Sequence, residues 1–456
     1  MLTMNPNVLL LSIDSLRHDR IFGDKKSAIT PNIDKIIENG IVFNQTISSA
    51  DATGLGIGSM FTAKFSYRTG STQYKIDPNT LEYIQLLKKN NYNTYATIPN
   101  YRIFLDVTKK FTKVDVYEYF KRESWLQLVG GIEDLIIDRL NRKNKEPWFY
   151  FIHLMDLHAP FYIPKEFDLE KFGETRYDRM ISSIDSSIGG ILNKIDLTNT
   201  ILILTSDHGD HIPIIENWGK ITKTNPFLIK IKKKFPILEP LGLKLFTLIN
   251  SFKKNYRMNQ IQKKLTEKQM QALLGRAQNV LYDELLRIPL IFCGYNIQNH
   301  KIISQQVRQV DIIPTIMDIL NISGISNEID GRSLVPLVNG ESLNELPAYI
   351  ETGVRWVKNQ NEVVEPKYEG KIIGIRTANY KYWRSREDST KDVTLYDLQQ
   401  DPNEEINIVD KNQPIVDEME QILNSMREKL TPDNQNTFSV KEEERIFEEL
   451  KKLGYI

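Results

Sequence analysis

The sequence predicts an α/β protein, a mostly parallel sheet flanked by helices, with a smaller α+β unit toward the C-terminus. Three observations carry this reading. Val8–Ile13 and Ile201–Thr205 are continuous apolar runs that stop at Asp14 and at Ser206-Asp207, the pattern of parallel strands buried on both faces. Trp148–Ile152 and Pro289–Phe292 share that character, and helical patterns such as Asn32–Asn39, closed by Gly40, and Arg179–Ile195 fall between the runs. From about Glu341 the pattern changes to short strand-like pieces, IIGIRTANYKYW and VTLYDL, followed by a helical stretch over Gln413–Leu430.

At 456 residues the chain is long enough to bury a substantial core. Lys plus Arg and Asp plus Glu both total 59, so no global charge draws the chain to nucleic acid, and any electrostatic preference is local. The single cysteine, Cys293, has no partner for a disulfide and sits in the apolar run IPLIFCGY, where it reads as a small buried side chain. The opening MLTMNPN leads directly into VLLLSI without a basic leader or a small-residue cleavage site, so a strand is expected there and not a signal peptide. No run of about 18 or more uncharged apolar residues occurs. With the cysteine usage, this sets a cytoplasmic location as the expectation.

Residues 221–280 stand apart, with 13 Lys or Arg against only Glu239 and Glu267, and read as a basic insertion. Its centre, FPILEPLGLKLFTLINSF, carries Glu239, Lys244, Pro236 and Pro240, which argues against a bilayer span. Flanked by KIKKK and FKKNYR, it suits either a lid with its lysines in water or a peripheral contact with an anionic membrane. The expected organisation is a main domain over 1–340 that includes this insertion, an α+β subdomain over 341–430, and a tail over 431–456. In the tail, Ile446, Leu450 and Leu453 recur at helical spacing.

In open α/β sheets, ligands sit beyond the carboxyl ends of the strands, where Asp14, His153 and Asp207 are expected to fall. A carboxylate ending one strand and the Asp207-His208 pair ending another would offer oxygen ligands and an imidazole to one divalent ion, with Gly209 permitting the tight turn that presents them. Capping of the following helices is the other use of such carboxylates. A hydroxyl held against the ion becomes acidic enough to attack near neutral pH, although spacing alone does not say which hydroxyl.

NVLLLSIDSLRHDR (Asn7–Arg20), TPNIDKIIENGIVFNQTIS (Thr30–Ser48) and LTSDHGD (Leu204–Asp210) resemble the opening blocks and metal motif of sulfatases, a family of the alkaline phosphatase superfamily. The resemblance continues in the family's order through LYDELLRIPLIF (Leu281–Phe292), VDIIPTIMDILNI (Val310–Ile322), DGRSLVPLVNGE (Asp330–Glu341) and LYDLQQDPNEEIN (Leu395–Asn407) to the closing KKLGYI. It implies a sulfatase-type sheet in a catalytic main domain and hydrolysis of sulfate or phosphate esters on a small, glycan-linked or lipid-linked substrate. It also implies Asp14, Asp207 and His208 as ligands of a divalent ion, Ca2+ by family resemblance with Mn2+ and Zn2+ as alternatives.

In this family the nucleophile lies nine residues before a Thr, and in ADATGLGIGSMFTAKF that marker is Thr62 and the nucleophile Thr53. Formylglycine formation needs Cys or Ser there, followed by Pro, Ser and Arg. This chain has Thr53 with Leu55, Gly56 and Ile57, so Thr53 is expected to attack as an alkoxide, as in relatives that transfer phosphoryl groups. FIHLMDLHAPF resembles the family's histidine motif, which implies His158 as general acid, and WGK at Trp218–Lys220 implies Lys220 as a ligand of the transferred group.

Other positions depart from the pattern. The family's second Asp is Ser15 here, which leaves one metal ligand to come from elsewhere, and the Lys-x-His element is absent from YNTYATIPNYR, which offers Asn100. Ile215 replaces the later His of the usual EHG motif. A phospho-group transferase acting near a membrane surface and a catalytically inactive binding protein are the alternatives to a hydrolase. The sequence leaves the oligomeric state open.

Overall fold

The computed structural model describes residues 5–118, 128–142, 146–158, 162–213, 260, 263–271, 279–297, 300–324, 326, 328–353, 355–358, 364–367 and 371–428. The chain packs as two compact units, Met1–Asp210 with Gln278–Ile456, and His211–Ala277. Within the second unit the described residues include a short helix at Glu267–Gln271.

The larger unit is built on one sheet of nine strands: β1 (Asn7–Ile13), β2 (Gly40–Ile47), β3 (Asn93–Pro99), β4 (Lys113–Tyr117), β5 (Trp148–Leu154), β6 (Thr200–Thr205), β7 (Arg287–Ile288), β8 (Leu290–Gly294) and β9 (Lys301–Arg308). Their order is β4-β3-β5-β1-β6-β8-β2-β7, with β9 also paired to β2. The run from β4 to β6 is parallel throughout. The apolar runs dictate its centre, because every residue of β1, β5 and β6 is buried, as strands covered on both faces must be.

The strand in Pro289–Phe292 differs from expectation. It forms β8, which runs antiparallel to both β6 and β2. The chain leaves β6 at the Asp207 turn and returns beside it, with the Gly209 N–H on the Leu285 carbonyl at 2.7 Å. It therefore re-enters the sheet from the end it left, and no crossover sets it parallel.

Helices α1 (Pro31–Glu38), α2 (Thr53–Thr62), α3 (Glu82–Lys89), α4 (Arg102–Thr108), α5 (Ile132–Asn141), α6 (Arg176–Leu192) and α7 (Ile312–Ile319) flank the sheet. α6 packs with α1 and α5, whereas α2 packs with α3, α4 and α7. α6 begins at Arg176, three residues before its expected start at Arg179, because Thr175 and Asp178 form a reciprocal capping box. Asp185 on α6 accepts the N–H groups of Asn32 and Ile33, orphan donors of the first turn of α1.

The C-terminal pieces form β10 (Ala348–Glu351), β11 (Arg355–Lys358), β12 (Val364–Lys367), β13 (Ile372–Arg376), β14 (Tyr380–Ser385) and β15 (Thr394–Asp397), followed by α8 (Gln413–Arg427). β10-β13-β14-β15 is an antiparallel sheet, β11 and β12 pair with each other, and α8 lies on β13 and β14, packing its Val416 and Leu423 with Tyr349, Ile373 and Tyr382. Lys381, wholly buried, ties this sheet to the main one through Asp283 and Glu404, and Arg376 reaches Asp283 at 2.9 Å. The helical spacing read in the tail and most of the basic insertion lie outside the described residues. Among the described residues, no helix is long and apolar enough to cross a membrane.

Candidate functional site

Strand register assembles the site. β1 lies between β5 and β6, with Ser12 opposite His153 on one side and Thr205 on the other. Asp14, His153 and Asp207 thereby meet at one end of three adjacent strands, all with no solvent exposure, and one ligand atom from each lies within 4.8 Å of the others. His208, named with the two aspartates from sequence, stands beside this cluster, its Nε2 3.5 Å from Asp207 Oδ2. His153 supplies the imidazole within it.

Ser15 occupies the position of the family's second Asp and does a different job. Its φ of 61° places a non-glycine residue in the left-handed region, which turns its N–H onto Asp207 Oδ1 at 3.1 Å and its hydroxyl onto Asp14 Oδ1 at 2.6 Å. One oxygen of each carboxylate is thereby fixed. Asp207 Oδ2 and His153 Nε2, both buried, have no hydrogen-bond partner, and His153 Nε2 is 3.7 Å from Asp14 Oδ2. Buried acceptors without partners are costly, and a divalent cation would satisfy them together, so the residues fit a metal ion. The contact of His153 Nδ1 with Ser12 Oγ at 3.1 Å is of the kind that orients a ligating imidazole.

The electrostatics point the same way. Burial opposes ionisation of Asp14, but the His153 imidazole 3.7 Å away and the proximity of His158 and His208 hold its carboxyl well below the usual range. Asp207 is pushed above its ordinary value, first by burial and then by the charge of Asp14. Two carboxylates confined together in a dry site call for a cation.

Thr53 is the first residue of α2 and is buried. Its Oγ1 lies 3.0 Å from Asp14 Oδ2 and 3.2 Å from His208 Nε2. His208 Nδ1 is 2.6 Å from the Gly209 carbonyl oxygen, which only accepts, so Nδ1 carries the proton and Nε2 faces the threonine oxygen, whose own hydrogen is donated to Asp14 Oδ2. α2 can approach this closely because Gly56 has no side chain. A Cβ there would stand 2.5 Å from the Asp207 carbonyl oxygen.

Several further groups hold the site, and sequence reasoning did not single them out. The wholly buried Gln309 donates from Nε2 to the Asp207 and Ser206 carbonyls at 2.8 and 3.2 Å and accepts from Ser48 Oγ at 3.1 Å. Ser48 Oγ is also within 2.7 Å of the Asp207 carbonyl oxygen. Arg17, buried, donates to the Asp210 carbonyl and to Glu284 and Asp19, bracing the turn that follows Asp207. Asp156, two residues before His158, accepts the Leu128 N–H at 3.1 Å, and its other oxygen has no partner. The one available signal was a polar residue inside or against an apolar block: Gln309 directly precedes VDIIPT, and Arg17 lies in the opening block.

His158 is buried in the turn after β5, close enough to lower the Asp14 pKa through charge. Lys220 lies outside the described residues.

Residues 6–322 match the Sulfatase family, and residues 277–435 match the family described as N-sulphoglucosamine sulphohydrolase, C-terminal. An uncharacterized protein of Haemophilus influenzae is 26% identical over 211 residues, 46% of this chain and 32% of that protein. Arylsulfatase K of Gallus gallus is 29% identical over 148 residues, 32% of this chain and 26% of that protein. The matches thus span about a third or less of these relatives. Among solved structures, a phosphonate monoester hydrolase from Silicibacter pomeroyi superposes with a TM-score of 0.66 at 13% identity, covering 96% of this chain and 98% of that one, a likeness of fold. With the family match running over most of the chain and the sheet carrying the strand-end motifs where they are expected, the protein belongs to the sulfatase family of the alkaline phosphatase superfamily.

Proposed function

We propose that the chain is a metal-dependent hydrolase of sulfate or phosphate esters in which Thr53 is the nucleophile. One observation carries the reading: the Thr53 hydroxyl lies between Asp14 Oδ2 and His208 Nε2, at the edge of the Asp14–His153–Asp207 cluster. A divalent ion held by Asp14, His153 and Asp207, with His208 alongside, would supply the positive charge that acidifies a hydroxyl and neutralises an ester oxyanion. The imidazole of His153 favours Mn2+ or Zn2+ over the Ca2+ that family resemblance implies.

The chain's own groups provide the rest. The Thr53 hydrogen, directed at Asp14 Oδ2 in the resting site, turns to the lone pair on His208 Nε2 as Oγ1 attacks phosphorus or sulfur, and the N-terminal end of α2 favours the negative charge on that oxygen. His158 donates a proton to the departing alkoxide. Water then attacks the threonyl ester at phosphorus or sulfur, breaks its bond to Oγ1 and returns a proton to that oxygen, releasing the inorganic acid or phosphonate. Threonine bears a methyl on Cβ and forms no aldehyde, so release depends on this second attack. That requirement favours phosphate and phosphonate esters, the class for which the Silicibacter relative is named. Lys220 would bind the transferred group's free oxygens, and the organic part would be small, glycan-linked or lipid-linked.

The test is a hydrolysis screen of aryl sulfate, phosphate monoester, phosphodiester and phosphonate monoester with Mn2+, Zn2+ and Ca2+ supplied in turn. Thr53→Ala is expected to lose at least about a thousandfold in kcat with metal stoichiometry retained, and Thr53→Ser to recover part of it. Unchanged turnover in Thr53→Ala removes the nucleophile assignment, and a wild-type chain inert on every ester removes the hydrolase reading.

A further inference from the structure

A second concave site lies past the other end of α2. A cavity of 440 Å3 is lined by Lys64, Arg68, Lys75, Arg102 and Lys109, with Asp77 and Asp106 as its two carboxylates. Arg102, Asp106 and Lys109 follow one another at helical spacing, so one face of α4 and its C-terminal cap contribute a wall. Thr53 begins α2 and Lys64 lies just beyond its end, so a helix of 10 residues separates the cavity from the Thr53 centre, about 15 Å at the rise of an α-helix.

A solvated basic face would present its lysines to water. Here Lys64, Arg68, Lys75 and Arg102 are all half-buried, and only Lys109 of the five is exposed. Like charges drawn together and partly desolvated repel one another. The nearby carboxylates offset this in part: Arg102 pairs with Asp106 at 3.6 Å, and Arg68 is engaged by Asp330, outside the lining, at 2.8 Å. Lys64 and Lys109 have no ion-pair partner among the described residues. Asp106 Oδ2, buried at the wall, is the oxygen that faces Arg102 Nε at 3.6 Å, beyond hydrogen-bond length.

We infer that this cavity binds a phosphate- or sulfate-bearing ligand at a site separate from the Thr53 centre, with Lys64 and Lys109 on the oxyanion. Charge-assisted contacts from two lysines suit an oxyanion of two charges. The oxyanion could reach the site free or esterified to a sugar, and both share this chemistry. Nothing in the inference requires Thr53 to be a nucleophile.

Binding of inorganic phosphate, inorganic sulfate and glucose 6-phosphate to the full chain, measured by isothermal titration at constant ionic strength, tests it. In an Asp207→Ala variant, whose metal cluster is broken, one saturable site is expected to remain. Adding Lys64→Gln and Lys109→Gln should weaken that site at least about tenfold, while Lys64→Arg with Lys109→Arg retains it. In the wild-type background the two glutamine substitutions should remove one equivalent of bound anion and leave small-ester turnover unchanged, a comparison that holds even if Asp207→Ala folds poorly. Equal affinity for phosphate and glucose 6-phosphate assigns the site to the free oxyanion, and tenfold tighter binding of the ester assigns it to a sugar ester. Anion binding of the same affinity and stoichiometry with and without the two lysines overturns the inference.

Discussion

Asp156 carries a pH dependence that its surroundings fix in sign. Its carboxyl is 1% exposed, Oδ1 accepts one hydrogen bond from the Leu128 N–H, and Oδ2 has no partner. Burial outweighs that hydrogen bond and pushes the group from 3.8 up to about 7. A carboxyl raised in this way keeps its proton in the folded chain over a range where the unfolded chain has released it. Its contribution to stability is therefore full below the unfolded value of 3.8, declines as pH rises, and is gone above about 7. The decline is roughly 1.4 kcal/mol per pH unit, up to about 4 kcal/mol over the whole window. Asp156→Asn preserves the acceptor for Leu128 and never ionises. Urea unfolding of both proteins at pH values from about 5 to about 8 should show the wild type losing stability relative to Asp156→Asn until about pH 7, with a constant difference beyond it. Parallel stability curves over that range, or a difference that grows in favour of the wild type at the alkaline end, would refute the buried neutral carboxyl.

Three other perturbations follow from the geometry. His153→Ala should weaken Mn2+ or Zn2+ binding, measured by calorimetry, by at least about a hundredfold; unchanged affinity, with His208→Ala alone abolishing binding, would move the ion to the set read from sequence. Gln309→Leu leaves the Asp207 and Ser206 carbonyls and the Ser48 hydroxyl without its amide, and is expected to lower kcat/KM about 10–100-fold while Thr53 and the ligands remain in place. Full activity in a folded Gln309→Leu variant would show that Ser48 alone holds the turn. Lys381→Met removes the cation from between Asp283 and Glu404, and should cost about 3–5 kcal/mol of unfolding free energy, measured by urea denaturation. A loss under about 1 kcal/mol would mean that Arg376 suffices for Asp283.

The fold was legible where one physical rule decides the outcome. An apolar run with no polar face must be a strand covered on both sides, and β1, β5 and β6 are such strands. The direction of β8 was not legible, because composition reports burial and says nothing about the end from which the chain enters. That was settled by the path from the Asp207 turn to Leu285, a contact between residues 76 positions apart.

The site divides along the same line. Asp14 and Asp207 stand at the ends of apolar runs, so a local pattern finds them. His153 is placed by its register against Ser12 and by its rotamer, neither of which a single sequence records. Replacement of the family's second Asp by Ser15 is visible in the chain. Its consequence is visible only in space, where Ser15 spends its N–H and hydroxyl on the two remaining carboxylates and the imidazole of His153 on the neighbouring strand joins them in a cluster fit for a metal ion. Gln309 is the extreme case. Its amide joins Ser48, Ser206 and Asp207, segments more than a hundred residues away along the chain, and a buried amide that satisfies three distant groups leaves no periodicity to read. The ligands of such a centre are therefore easier to find from sequence than the residues that hold their geometry, and substitutions at the latter are where activity and sequence resemblance are expected to part.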